Sequence, residues 1–186
     1  MATMPLILAS GSSIRKALLQ TITPHFKVIP ASINERGYPP LAALELAEAK
    51  ALDVSKKHPH HWVIGADQIC HLNDHVFHKP KTIKNAIKTL NLLNGQTHTL
   101  KTAVCIACDN KIMWSLCENV QLTMNHLTKN DIINYVNKDV PLESCGSYKY
   151  ELMGKNLFTS VSHDAHTIQG LPTNKLQLAL KQFHII

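Results

Sequence analysis

The sequence predicts an α/β fold: a single domain with a mixed, twisted sheet flanked by helices. Short apolar runs suited to buried strands alternate with segments of helical spacing along most of the chain. Residues 98–124 break that alternation with adjacent strand-like stretches, which brings antiparallel pairing into an otherwise parallel plan. No Gly/Ser-rich or Pro-rich stretch divides the 186 residues, 45% of them hydrophobic, so one continuous domain is expected over 1–186.

Pro5-Leu6-Ile7-Leu8-Ala9 reads as the first strand. Ser10-Gly11-Ser12-Ser13 interrupts it before Ile14, Ala17 and Leu18 begin a helix that Ser12 or Ser13 caps, leaving its first N–H groups facing the loop as a place for an anion. Phe26-Lys27-Val28-Ile29-Pro30 is a second strand. A long helix is expected over 39–57, with Leu41, Leu44, Ala47, Ala51 and Val54 in one stripe and Lys50 beside it. Trp62-Val63-Ile64-Gly65-Ala66 follows as a buried strand, then 69–71 and 76–78 as a hairpin turning at Asn73-Asp74. Thr82 caps a helix carrying Ala86, Ile87, Leu90 and Leu93, with Gly95 just past its end. Three strands are expected within 98–124, then a helix opened by Thr128-Lys129-Asn130-Asp131, and a last helix over 172–183.

Residues 1–8 lack a basic region followed by a long apolar segment, and no run approaches the roughly 18 apolar residues of a membrane span. A soluble, cytoplasmic protein is expected. Cys70, Cys105, Cys108, Cys117 and Cys145 are odd in number and lack the paired spacing of a disulfide framework, which fits reduced thiols. Cys105-Ile-Ala-Cys108 spells CxxC, but in a strand residues three apart point to opposite faces. The formal charge of +6 comes from scattered Lys and Arg with few aromatic residues, so nucleotide phosphates explain it as well as a nucleic acid does.

Asp67 is the sharpest single residue: an acid directly after an apolar strand has no packing reason to be there, although a turn-forming Asp is the plainer reading. Arg15 and Lys16 near a helix N-terminus oppose the dipole unless an anion compensates. Lys50, Lys79 and Glu151 each read alone as surface residues, Glu151 on a strand face. His71, His75 and His78 cluster on the hairpin but do not converge as a zinc cage would require. Breaking a phosphoanhydride needs cationic and N–H donors, a divalent metal and a carboxylate that activates water, and all have candidates here.

Five stretches in order resemble the Maf-like nucleoside triphosphate pyrophosphatases, whose fold is similar to that of the inosine triphosphate pyrophosphatases. Leu6-Ile7-Leu8-Ala9-Ser10-Gly11-Ser12-Ser13-Ile14-Arg15 looks like the family's opening loop, and Val63-Ile64-Gly65-Ala66-Asp67-Gln68 like its aspartate-bearing strand. His78-Lys79-Pro80 resembles its GKP turn and Asn94-Gly95-Gln96-Thr97-His98 its SGxxH segment. Cys145-Gly146-Ser147-Tyr148-Lys149 with Gly170-Leu171-Pro172 looks like its closing motifs. Any one is weak; the ordered set is specific.

The resemblance implies an active-site cleft between two lobes, with Asp67 as proton acceptor and metal-linked base. It places Ser10, Arg15, Lys50 and Lys79 around the triphosphate and Glu35 beside Asp67 on Mg²⁺ or Mn²⁺. It assigns specificity to Ile14, Gln68 and Glu151. Gln68 and Glu151 look like the 7-methyl-GTP branch, since a carboxylate can accept from the guanine N1–H and amine and complement a cationic ring. Ile14 stands where that branch usually carries an aromatic residue. Ser13, Asn34 and His78 replace a proline, an aspartate and a glycine of the family pattern. The expected activity is hydrolysis of 7-methyl-GTP or a related modified nucleotide to the monophosphate and pyrophosphate, clearing aberrant nucleotides. The alternatives are a dTTP/UTP pyrophosphatase, or a nucleotide-binding cell-division regulator with little turnover. A homodimer is expected, with no membrane or nucleic-acid partner.

Overall fold

Leu6, Ile7 and Leu8 are all buried, as a strand covered on both faces requires, and they form β1 (Leu6–Leu8) of a computed structural model that describes residues 4–186. Residues 1–3, part of the stretch read above for a leader segment, lie outside the described residues. Strand β1 pairs in parallel with β2 (Lys27–Val28) on one side and β3 (Trp62–Leu72) on the other. Strand β3 turns back through Asn73-Asp74 into antiparallel β4 (His75–Phe77), with Asn73 taking the positive φ of 51° that such a turn needs. Strands β5 (Thr97–Cys108) and β6 (Lys111–Met124) follow, and β7 (Phe158–Val161) pairs antiparallel with β6. The strand order is β2-β1-β3-β5-β6-β7 with β4 on β3, a mixed sheet of seven strands.

The helices are α1 (Ser13–Gln20), α2 (Ala43–Lys57), α3 (Ile83–Leu93), α4 (Lys129–Asp139), α5 (Ala165–Ile168) and α6 (Thr173–Gln182). Their ends follow the capping chemistry of the sequence: Thr82 accepts from Asn85 N–H, Gly95 beyond α3 has φ +68°, and Thr128 and Asp131 cap each other's backbone in a complete capping box.

Four details differ from the sequence reading. Helix α2 begins at Ala43 rather than near 39, because Pro39 and Pro40 enter a turn that Ala42 N–H closes onto the Pro39 carbonyl. Its buried stripe is accordingly Ala43, Leu46, Ala47, Ala51 and Val54, while Leu41 is exposed. Residues 98–124 make two long strands, not three, since Asp109 and Asn110, both at positive φ, are the one turn inside that stretch. Strand β7 and the short helix α5 have no counterpart in the sequence reading.

The chain packs as two compact units. One comprises residues up to Asp67, Thr102–Glu118 and Gly170–Ile186; the other comprises Gln68–Lys101 and Asn119–Gln169. The first has its own core, in which Leu8, Leu19, Ile64, Ile106, Leu171 and Leu180 are buried. The second is built around Leu90, Leu93, Leu100, Leu122, Ile132 and Tyr148. Three of the four passages from one unit to the other fall in mid-strand, within β3, β5 and β6, and the fourth, from Gln169 to Gly170, lies between α5 and α6.

Candidate active site

In the first unit, the loop after β1 is organised by its serines. Ser10 is buried and its Oγ accepts from Ser12 N–H at 3.2 Å; Ser12 Oγ in turn caps α1 by accepting from Arg15 N–H at 3.3 Å. Of the two capping candidates, Ser12 is the one used. The first turn of α1 holds no acid, so its positive end stands beside Arg15 and Lys16 with no internal counter-charge in that turn. Arg15 reaches across to the end of the apolar run: its Nε donates to the Gly170 carbonyl at 3.0 Å and its Nη1 to the Ala66 carbonyl at 3.1 Å. Ile14, one residue earlier, packs partly buried against the core of this unit.

The residue after Ala66 is Asp67, only 8% exposed. It does not sit in a loop beyond a finished strand, as its place in the sequence suggested: β3 runs on through it to Leu72, because the segment after it pairs with β4. Lys50 meets it from α2. Its Nζ lies 2.5 Å from Asp67 Oδ1 and 2.8 Å from Glu35 Oε1, so one ammonium joins two carboxylates. Glu35 lies on a 3-10 turn (Glu35–Gly37) that Asn34 opens, its Oδ1 accepting from Arg36 N–H.

Helix and strand meet this closely because of Gly65. A Cβ there would collide with the Ala47 carbonyl oxygen and come within 2.8 Å of the Ala51 Cβ. Only hydrogen at this position lets α2 lie so near β3, and Lys50, between Ala47 and Ala51, is carried to Asp67 by that approach.

In the second unit, Gln68 Nε2 donates to the Ile168 carbonyl at 2.9 Å, at the end of α5. Lys79 is exposed and lies 3.3 Å from Glu143 Oε2; Lys81 binds the same carboxylate at 2.7 and 2.9 Å. These two ammonium groups, Lys81 first, hold the Glu143 carboxyl below its ordinary range. Glu151 is exposed in a turn, not on a strand face.

Residues 5–183 match the family described as "Maf-like protein". The chain belongs to the Maf-like family. A "Nucleoside triphosphate pyrophosphatase" of Legionella pneumophila (strain Lens) is 37% identical over 98% of this chain and 95% of its own length. A "7-methyl-GTP pyrophosphatase" of Rhizobium etli is 37% identical over 99% of this chain and 98% of its own, and one of Brucella abortus is 38% identical over 97% and 96%. Among solved structures, the Ham1 protein of Staphylococcus aureus superposes with a TM-score of 0.54 at 17% identity, covering 96% of this chain and 99% of that one. A HAM1 protein from Coxiella burnetii does so at 0.55 and 14%. These two share the mixed α/β fold.

In this Maf-like chain, Glu35 and Asp67 are the residues suited to a divalent metal. Their oxygens already converge on one cation, and Mg²⁺ or Mn²⁺ takes such hard donors, one or two carboxylates at a time, completing its shell with water and phosphate. Among the described residues no group of three or more His, Cys, Asp or Glu is placed to hold a metal, the histidines of the β3–β4 hairpin included. Burial pushes the Cys105 thiol up to about 12, which makes it an inert core residue. Three partners escaped the sequence reading: Glu143, and the Ala66 and Gly170 carbonyls that aim Arg15. Backbone acceptors leave no mark on residue type, and Glu143 stands 64 positions from Lys79 with no periodicity to link them.

Proposed function

We propose that this chain is a nucleoside triphosphate pyrophosphatase that cleaves the α–β anhydride of 7-methyl-GTP or a closely related modified nucleotide, releasing the monophosphate and pyrophosphate. The observation that carries the reading is the grouping of Lys50, Glu35 and Asp67, with Arg15 bound to the Ala66 carbonyl next to Asp67, at the end of an apolar run in a Maf-like chain. Arg15 and Lys50 supply positive charge to phosphate oxygens, with the capped N-terminus of α1 and Ser10 offering further donors. Asp67 accepts the proton of the attacking water, and its strand and near-complete burial fix the direction of its carboxylate. Glu35 and Asp67 would hold Mg²⁺ or Mn²⁺, which supplies Lewis-acid polarisation of the phosphate oxygens.

The substrate assignment rests on the 7-methyl-GTP pyrophosphatases among the relatives and on Gln68 and Glu151. An anionic Glu151 favours a cationic purine and accepts from its N–H groups. Pyrophosphate release from a panel of triphosphates with Mg²⁺ or Mn²⁺ tests it: 7-methyl-GTP should give the highest kcat/KM, and preference for dTTP or UTP overturns the substrate assignment. Asp67→Asn should lower kcat by at least about 100-fold while nucleotide is still bound, as loss of a general base does. Glu151→Gln should shift kcat/KM away from 7-methyl-GTP by about 1.5–3 kcal/mol, the size of a lost charged hydrogen bond.

A further inference from the structure

We propose that Lys50 is a built-in competitor for the divalent cation: its ammonium neutralises Glu35 and Asp67 until a triphosphate draws it off and opens the pair to metal. The second half of this rests on the function proposed above; the first half does not.

The geometry makes the two states exclusive. An ammonium 2.5 Å from one carboxylate oxygen and 2.8 Å from the other occupies the space between them and cancels one of their two charges. Mg²⁺ or Mn²⁺ must approach such oxygens to about 2.0–2.2 Å. It cannot do so while a unit positive charge remains within hydrogen-bonding distance of the same atoms, where like-charge repulsion is least screened. One of the three must move, and the three differ in freedom. Asp67 is buried on a central strand; Glu35 is on a short 3-10 turn; Lys50 ends a flexible four-carbon stem rising from the middle of α2.

A triphosphate provides what the ammonium loses on leaving. Lys50 moves to the phosphate oxygens and the carboxylates regain a net charge of two, so that Glu35 and Asp67 would be free to hold a divalent cation. Metal and nucleotide therefore assist each other, and by linkage the factor is the same in both directions. In the nucleotide-free protein the pair is held closed, which guards the acid that activates water from idle metal binding.

The experiment is a Mn²⁺ titration followed by electron paramagnetic resonance on nucleotide-free protein. Lys50→Met should bind Mn²⁺ at least about ten-fold more tightly than the unaltered chain, the effect of removing one adjacent unit charge. Adding Glu35→Gln to Lys50→Met should abolish the gain. Lys50→Gln, which removes the charge but keeps a polar group, serves in the same way if the methionine variant unfolds; far-ultraviolet circular dichroism decides that. Equal or weaker Mn²⁺ binding by folded Lys50 variants overturns the proposal. An α,β-methylene triphosphate should then tighten Mn²⁺ binding to the unaltered protein, beyond what the analogue holds by itself, and do so less in Lys50→Met. Equal tightening in both overturns the switch. Failure of every triphosphate analogue to bind sinks the proposed function instead, while the nucleotide-free titration still decides whether Lys50 competes with metal.

Discussion

His98 is 1% exposed, and its Nε2 lies 2.9 Å from the Tyr148 hydroxyl in a cluster of rings that includes Phe158. Burial, with a smaller contribution from repulsion by His71, lowers its pKa to about 4. The direction of the consequence follows from which state takes the proton. Between pH 6.5 and 4 the unfolded chain protonates this imidazole and the folded chain does not, so stability falls as the pH drops through that window. The loss reaches on the order of 3 kcal/mol at its lower end. Urea midpoints at pH 7, 5.5 and 4.5 check this. His98→Gln should flatten the decline relative to the unaltered chain, and an identical decline in both assigns the acid sensitivity to other groups. His98 occupies a place where one protonation state is dictated by surroundings that the residue's own neighbours in sequence do not reveal.

At the scale of elements, the contact between α2 and β3 is the one on which the candidate site depends. Gly65→Ala would force the helix away from the strand, at a cost typical of overpacking, about 1–3 kcal/mol. It should also lower pyrophosphatase activity more than an equally destabilising change elsewhere, because α2 then carries Lys50 away from the phosphate oxygens it is proposed to hold. Thermal unfolding and steady-state kinetics on the same preparation separate the two effects. Elements defined by local chemistry were legible in the sequence: the Thr82 and Thr128 caps, the Gly95 terminus, the turn at Asn73-Asp74 and the amphipathic α3 all follow from residues within a few positions of one another. Elements defined by partners were not. Strand β7 is four residues whose sequence, Phe-Thr-Ser-Val, gains meaning only beside β6, and β3 outruns its apolar stretch because β4 folds back upon it. The candidate site divides the same way. Asp67 and Arg15 stood out through motif and position and Lys50 only through the family resemblance, whereas their mutual arrangement depends on the absence of a side chain at Gly65 and on two backbone carbonyls.

For the molecule as a whole, each of the two units has its own buried apolar cluster, yet neither is a contiguous stretch of chain. A piece spanning 68–169 would carry Val104 and Ile106, which belong to the core of the other unit, and would expose them. Such a piece should therefore show poor amide dispersion by nuclear magnetic resonance and bind 8-anilinonaphthalene-1-sulfonate, where the intact chain does neither. Because three of the four passages between units fall inside strands β3, β5 and β6, and each unit is assembled from separated stretches of chain, neither unit can be joined or swapped as one continuous module. Under the proposed role of Gln68 and Glu151, changes of substrate preference must come by substitution in place, one side chain at a time. Directed evolution of substrate preference should accordingly succeed through point libraries at positions such as 68 and 151 and fail through shuffling of chain segments.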